Sequence, residues 1–263
     1  MNDFLEFERS QWLFSRRSST FEDATSLYQS TFAMDNGRVP QLEHARRYVA
    51  HWNQMRQENV GLLFWGPPGN GKTFAAACIA NGLIEQESNF PPSIRMTTFG
   101  IILNKLPALS PADKEYYLND LKHCDLLILD DFGMERQTDY AREQVFGIID
   151  GQYLAQKTLI VTTNLGLNEM KFTNELAAKR IYDRVLEMCV PVYFSGESLR
   201  MAKAAEKLHQ LISNPSSGGV ERTCSPSSST NIGNPEYWIS EMSPGTGPHT
   251  LYPFHLPTHL HEL

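Results

Sequence analysis

The chain of 263 residues is 41% hydrophobic, which is enough to bury a sizeable core in one large domain or two small ones. Its formal net charge of −7 disfavours a protein that coats nucleic acid by bulk attraction, so any contact with DNA must be local. No apolar run approaches the roughly 18 residues of a membrane-spanning helix, and we expect a cytoplasmic protein with no membrane contact.

The first elements are a mixed segment, a helix and a strand. Residues 1–40 contain seven aromatic residues around two adjacent basic residues, Arg16 and Arg17, which suggests a short segment that binds a partner. Apolar residues then recur three and four positions apart, as on one face of a helix: Leu42, Ala45, Val49 and Trp52. This predicted helix, over 41–55, leads into a buried strand over 60–65.

Strands and helices alternate after this point. The predicted elements are a helix over 73–86, a strand over 93–98, helices over 99–106 and 111–123, a strand over 125–131, a helix over 139–156, a strand over 158–164, a helix over 176–188, a strand over 190–194 and a helix over 197–212. Strands without polar alternation, separated by helices, predict a parallel sheet covered on both faces. From 213 to 263 the chain is rich in Pro, Ser, Gly, Thr and Asn, which predicts a disordered, low-complexity tail after a folded domain over 41–212.

The stretch GPPGNGKTF separates the first strand from an Ala-rich helix. Its three glycines allow a tight turn that aims backbone N–H groups inward, and the following helix adds the positive end of its dipole. Such a loop suits the phosphates of ATP, with Lys72 at the β- and γ-phosphates and the Thr73 hydroxyl on Mg²⁺. The alternative is a glycine-rich turn with a stray lysine. The predicted cofactor-binding residues are Gly66, Pro67, Pro68, Gly69, Asn70, Gly71, Lys72, Thr73 and Phe74.

Polar residues also end the next two predicted buried strands. LLILDD places Asp130 at the carboxyl end of a strand, where it can hold Mg²⁺, with Asp131 beside it as a base for the attacking water. Asn164 ends TLIVTTN and can hydrogen-bond the γ-phosphate or that water. Two acids at a strand end can also be a solvated turn, and Asn often caps turns. We therefore predict catalytic roles for Asp131 and Asn164, and a metal site made by Thr73 and Asp130.

Three arginines follow in two short motifs. Arg180 and Arg184 in RIYDRVLE lie one helical turn apart, and Arg200 in GESLR falls in the first turn of the last helix. A surface arginine is ordinarily a solvated charge. A guanidinium at the γ-phosphate, however, accelerates hydrolysis by roughly 10³ to 10⁵, so an ATPase has reason to keep one near the nucleotide. An arginine supplied by a neighbouring copy would make hydrolysis depend on assembly.

In this order and spacing, GPPGNGKT, LLILDDFG, VTTN, RIYDRVLE and GESLR resemble the AAA+ ATPases of the bacterial helicase-loader group, DnaC and DnaI, and their relative IstB. The similarity covers roughly residues 20–210. It implies an α/β P-loop NTPase fold, a three-layer sandwich with a parallel five-stranded sheet in the order 5-1-4-3-2. The implied roles are Walker A for Lys72 and Thr73, Walker B for Asp130 and Asp131, sensor 1 for Asn164, an arginine finger acting in trans for Arg184 with Arg180 as its substitute, and sensor 2 for Arg200.

The same resemblance implies a function for the ATPase domain over 41–212. Members of this group use ATP and Mg²⁺ to self-associate on single-stranded DNA and on the replicative helicase, which they load or deliver. The alternative is an IstB-like helper of a transposase that acts on duplex DNA. Asp131 stands where many AAA+ enzymes have Glu, which predicts a slow, assembly-stimulated ATPase. A small-molecule phosphotransferase and a non-hydrolysing nucleotide-gated adaptor are further alternatives.

Three further groups of residues carry predictions. The four cysteines are far apart and form no CxxC pair, which favours buried thiols over a zinc site or disulfides. Three histidines near the end of the tail can bind metal, although nothing rigid would hold them: His255, His259 and His261. By the resemblance, the two helices after SIRMTT carry a DNA-contacting surface, for which the candidates are Phe99, Lys105 and Tyr117; the alternative is ordinary core and surface helices.

Overall fold

In a computed structural model, the described residues are 2–22, 24–86, 91–133, 138–196 and 198–213. Within them, five strands form one sheet in the order β2-β3-β4-β1-β5, and every neighbouring pair is parallel. The strands are β1 (Gly61–Trp65), β2 (Ile94–Thr98), β3 (Leu126–Phe132), β4 (Thr158–Thr163) and β5 (Cys189–Tyr193). Taken from the opposite edge this order is 5-1-4-3-2, so the predicted sheet is confirmed.

Ten α-helices among the described residues accompany the sheet. They are α1 (Asn2–Thr20), α2 (Leu42–Ala50), α3 (Trp52–Gln57), α4 (Lys72–Glu85), α5 (Phe99–Lys105), α6 (Pro111–His123), α7 (Asp139–Leu154), α8 (Leu167–Lys171), α9 (Leu176–Met188) and α10 (Leu199–Ser213). From β1 onward, the predicted elements agree with these bounds to within two residues. The helix predicted over 41–55 is instead the pair α2 and α3, which is interrupted at His51.

The core lies on both faces of the sheet, because successive strand residues point to opposite sides. Leu62 and Phe64 of β1 pack in the layer that contains α2, α3 and α4. Leu63, between them, packs in the layer formed by α5, α6, α7 and α9. The apolar strands are therefore buried on both faces, as a three-layer sandwich requires.

The segment before α2 is attached to the sheet and to α4. Phe21 is 1% exposed and forms an isolated parallel bridge with Met96 of the edge strand β2. On α4, the buried Asn81 accepts a hydrogen bond from Arg17 Nε at 2.8 Å. The Asn81 amide also donates to the carbonyl oxygen of Leu27 at 2.9 Å and to that of Ser30 at 2.9 Å. Residues 25–30 are thus held in place by α4.

The expected DNA-contacting residues have other roles in the structure. Phe99 is 2% exposed and belongs to the core, so its assignment to a DNA surface was wrong. Lys105 and the Tyr117 hydroxyl both bind the carboxylate of Glu22, which also accepts a hydrogen bond from Thr97. Burial raises the pKa of Glu22, but these hydrogen bonds outweigh it and leave the pKa lowered. The cluster joins the end of the N-terminal segment to β2, α5 and α6.

Several predictions concern the outer parts of the chain. Cys78, Cys124 and Cys189 are free and buried, as expected. Residues 1–208 form one compact unit; of 209–263, the structure describes 209–213, the end of α10. Ser213, where the disordered tail was predicted to begin, is instead the last residue of α10. The rest of the predicted tail, 214–263, with Cys224 and the three tail histidines, lies outside the described residues. Among the helices described, none is long and apolar enough to cross a membrane.

Candidate functional site

The loop over 66–71 joins the end of β1 to the start of α4. Gly66, Gly69 and Gly71 have φ values of +134°, +88° and +91°, in the region that residues with a side chain rarely adopt. A Cβ on Gly69 would lie 2.2 Å from Ser198 Oγ, so this position also needs the absence of a side chain. The loop therefore turns tightly before α4, and the amino end of this helix faces the space that the loop encloses.

Lys72 is the first residue of α4 and folds back over the loop. Its ammonium donates to the carbonyl oxygens of Gly66 at 2.8 Å and Pro67 at 2.7 Å. The residue is 6% exposed, and burial lowers its pKa, while the nearby carboxylates of Asp131 and Asp130 oppose the shift. The ammonium is thus held at the loop by neutral carbonyl groups, which phosphate oxygens can replace as stronger, charged acceptors.

The two acids at the end of β3 are in different environments. Asp130 is buried, and its Oδ1 accepts hydrogen bonds from Thr73 Oγ1 at 2.9 Å and Thr162 Oγ1 at 2.6 Å. Burial raises the pKa of Asp130 despite these hydrogen bonds. Asp131 is exposed and has a φ of +54°, which turns it out of the regular strand. The pair therefore offers one buried carboxylate beside Thr73 and one at the solvent side.

A cavity of about 490 Å³ lies over the loop and the strand ends. The predicted site residues that line it are Pro68, Gly69, Gly71, Lys72, Thr73, Phe74, Asp131, Asn164 and Arg200. Sequence reasoning missed Leu27, Ser30 and Leu199, which line it as well. Asp130 adjoins it through Thr73, so one cleft brings together the glycine loop, two strand ends and the start of α10.

The chain between β5 and α10 holds the glycine loop in place. The side-chain amide of Asn70 donates to the carbonyl oxygens of Phe194 at 3.3 Å and Gly196 at 3.0 Å. In return, the Leu199 N–H donates to the carbonyl oxygen of Gly69 at 3.0 Å. Asn70 therefore shapes the loop rather than facing the cavity. These contacts explain how Arg200, far away in sequence, reaches the cleft.

Arg184 and Arg180 lie elsewhere on α9. Arg184 Nε is 3.2 Å from Asp150 Oδ1, and its guanidinium carbon is 4.0 Å from the ring centre of Tyr153. Arg180 sits over Phe146 and lines a separate cavity of about 260 Å³ between α7 and α9. Neither side chain lines the cleft of its own chain. A role for either in hydrolysis would need contact with another copy.

The donor atoms fit magnesium and a triphosphate. Mg²⁺ prefers oxygen ligands and is commonly held by one or two protein groups together with substrate phosphates and water. Thr73 and Asp130 supply a hydroxyl and a carboxylate whose oxygens are 2.9 Å apart. Across the part of the chain that the structure describes, no three His, Cys, Asp or Glu residues form a metal cluster.

The sheet order, the glycine loop and the acids at the end of β3 define an α/β P-loop protein of the AAA+ class. The family is also clear. The chain belongs to the IstB-like ATP binding protein family, whose model matches residues 19–207. This match covers the sheet, the cleft and residues 25–30, which contribute to the lining of the cleft. The resemblance inferred from the sequence motifs is therefore confirmed.

The chain is also similar to named relatives. It is 28% identical over 183 residues to the replicative helicase loader DnaI of Bacillus subtilis, a match that covers 66% of this chain and 58% of DnaI. It is 28% identical over 168 residues to the replicative helicase loader DnaC of Escherichia coli, covering 62% of this chain and 64% of DnaC. The matches thus span less than two thirds of either relative. A crystal structure of DnaI has a TM-score of 0.53 at 20% identity, covering 65% of this chain and 93% of that one, which shows the shared fold.

Proposed function

We propose that the protein is an ATP-dependent DNA replication protein that binds single-stranded DNA and loads or delivers the replicative helicase. The observation that carries the proposal is the single cleft in which Lys72, Thr73, Asp131, Asn164 and Arg200 meet. Sequence similarity to two replicative helicase loaders supports the choice of process. This role would be performed in the cytoplasm.

ATP would bind with its phosphates in the glycine loop. The ammonium of Lys72 would exchange its two carbonyl contacts for the β- and γ-phosphates, which are stronger acceptors. The Thr73 hydroxyl and the Asp130 carboxylate would hold Mg²⁺, which supplies charge neutralisation at the phosphates when bound. Leu27 and Leu199 give the cavity an apolar part, which suits a nucleobase.

Hydrolysis would be carried by residues at the solvent side of the cleft. Asp131 is exposed and turned toward the cavity, where it can orient and deprotonate water. Asn164 would hydrogen-bond that water or the γ-phosphate, and Arg200 would stabilise charge on the phosphates. Because the side chain of Asp131 is one methylene shorter than Glu, we expect slow turnover that suits a switch.

Self-association would complete the site. Arg184 lies on α9 away from its own cleft, and its ion pairs with Asp150 and Glu187 at 3.2 and 3.5 Å hold the guanidinium at the surface. We infer that Arg184 is the arginine finger for a neighbouring copy, with Arg180 as the substitute. ATP would then promote assembly, and assembly would stimulate hydrolysis.

The first 40 residues would provide the partner surface. Three aromatic side chains of α1 are strongly exposed: Phe7 at 60%, Trp12 at 43% and Phe14 at 65%. Exposed aromatic groups are enriched at protein interfaces because they supply a large contact area. We further propose that the ATPase domain spans residues 41–212, with this segment before it and the tail after it.

A second candidate is a helper of a transposase on duplex DNA, and the description of the family as IstB-like favours it. One experiment separates the two. The chain is incubated with a replicative helicase and ATP or ADP, then sized with single-stranded or duplex DNA, with Lys72→Ala as the control. A helicase complex in ATP only, abolished by Lys72→Ala, is the expected result. ATP-dependent filaments on duplex DNA without helicase binding would favour the transposase helper, and no complex with either would refute the loader proposal.

A further inference from the structure

The two acids at the end of β3 face a single residue of β4. Leu129 pairs with Val161 and Phe132 pairs with Thr163, so Asp130 and Asp131 together lie opposite Thr162. Two residues against one is the definition of a β-bulge, in which the ordinary ladder of backbone hydrogen bonds is interrupted. The backbone of Thr162 remains paired with Phe64 of β1 on the other side. Thr162 is therefore fixed by one neighbouring strand and placed against the bulge in the other.

The hydroxyl of Thr162 contacts both acids. It donates to Asp130 Oδ1 at 2.6 Å and accepts from the backbone N–H of Asp131 at 3.1 Å. Thr162 is completely buried, so water has no direct access to replace these contacts. A hydroxyl has one donor and two acceptor sites, and this geometry uses both capacities. The side chain of Thr162 thus replaces a backbone hydrogen bond between β3 and β4 at the bulge, and it also orients the carboxylate of Asp130.

The backbone of Asp131 is held by the same hydroxyl. Its φ of +54° is left-handed, a conformation that few non-glycine residues adopt, although Asp tolerates it better than most. The hydrogen bond from its N–H to Thr162 is the contact that the bulge supplies. If the Thr162 hydroxyl were removed, the side chain of Asp131 would therefore no longer be oriented toward the cavity.

We propose that Thr162 is a positioning residue that sets the metal-binding carboxylate of Asp130 and the orientation of Asp131. The inference rests on the proposed ATPase function. Thr73 also donates to Asp130, but its hydroxyl is the group expected to bind Mg²⁺. When that happens, Thr162 remains as the side-chain donor that holds Asp130 in place. Thr162 itself does not line the cavity.

The same strand provides a matched control. Thr158 is also on β4 and 1% exposed, and its hydroxyl is buried without a hydrogen-bond partner in the described structure. Thr158→Val and Thr162→Val therefore make the same chemical change in the same strand, but only the second removes contacts with the acids. Thr162→Ser keeps the hydroxyl and serves as the conservative variant.

The test is the affinity for ATP with Mg²⁺ and with EDTA, measured by equilibrium titration of the full chain. Thr162→Val should lose about 10-fold or more of the gain in affinity that Mg²⁺ gives, because a hydrogen bond to a charged group is removed. Its affinity in EDTA should stay within about two-fold of wild type, because the glycine loop is unchanged. Thr158→Val and Thr162→Ser should keep the wild-type gain. If Thr162→Val does not fold, Thr162→Ala is used with the same expectations.

Three results would overturn the proposal: an intact Mg²⁺ gain in Thr162→Val, an equal loss in Thr158→Val, or the same loss in Thr162→Ser. These results are distinct from failure of the proposed function. If the wild-type chain bound no ATP in either condition, the ATPase assignment itself would be wrong. If the wild type bound ATP with a clear Mg²⁺ gain while Thr162→Val matched it, only the role of Thr162 would be lost.

Discussion

Replacing Gly69 with alanine tests whether the chain after β5 really restrains the phosphate loop. An alanine Cβ at this position would lie 2.2 Å from the Oγ and 3.1 Å from the Cβ of Ser198. The backbone is also left-handed there, with a φ of +88°. Conformation should cost about 1–2 kcal/mol and overpacking about 1–3 kcal/mol, so we expect a total loss of about 2–5 kcal/mol.

Two further variants separate these contributions. Gly37 has a φ of +75° with no atom within 4 Å of an added Cβ, so Gly37→Ala should show the conformational cost alone. Ser198→Gly removes both crowding atoms and leaves Ser198 Cα at 3.5 Å, an ordinary contact. The double variant Gly69→Ala with Ser198→Gly should therefore recover about 1–3 kcal/mol relative to Gly69→Ala.

The assay is urea unfolding of the nucleotide-free protein, followed by ATP titration of each variant that folds. We expect the order of stability to be wild type, Gly37→Ala, the double variant and then Gly69→Ala. The opposite outcome would be a Gly69→Ala variant no less stable than Gly37→Ala, or no recovery on adding Ser198→Gly. Either result would mean that the segment at 198 does not restrain the loop.

Three other changes give distinct results. Asp130→Asn should raise the Tm of the nucleotide-free protein, because it removes a charge whose burial raises the pKa of Asp130; a lower Tm would contradict this. The same variant should abolish the gain in ATP affinity that Mg²⁺ gives. Glu22→Gln should cost about 1–3 kcal/mol at pH 7 in urea unfolding. Because folding lowers the pKa of Glu22, the stabilisation by its carboxylate is fully present above the ordinary pKa of about 4.3 and is lost as the pH falls through the pKa in the folded state. The unfolding free energies of wild type and Glu22→Gln should therefore converge in acid. A difference between them that does not change with pH would argue against the ion cluster. Arg184→Ala should reduce steady-state ATP turnover by up to about 10³-fold while ATP affinity is retained, and unchanged turnover would remove Arg184 as the finger.

The sheet and the loop were predictable because their signals are local. The strand before Gly66 is a continuous apolar run, and the glycines and Lys72 follow within one short stretch. LLILDD likewise carries its acids at the end of an apolar strand, so each motif could be placed without knowledge of tertiary contacts. The order of strands came from the resemblance, because strand order depends on pairing between distant segments.

The missed parts depend on contacts between distant residues. Leu27 and Ser30 reach the cavity because Asn81 binds their carbonyl oxygens from α4, and backbone contacts leave no pattern in side-chain identity. Phe99 was assigned to a surface although α5 starts directly after β2 and turns this ring into the core. The helix α1 was not predicted because its exposed aromatic residues do not form one apolar face. The bulge at Asp131 also has no sequence signal, since its support comes from β4.

We propose that this cleft binds ATP through the ammonium of Lys72 and a magnesium ion at Thr73 and Asp130. The most direct measurement is a calorimetric titration of the purified chain with ATP and Mg²⁺, repeated with Lys72→Ala. We expect one saturable site per chain in the wild type and no measurable binding in the variant. A wild-type chain that retains no ATP, or a Lys72→Ala variant that binds it equally well, would rule out this mode of binding.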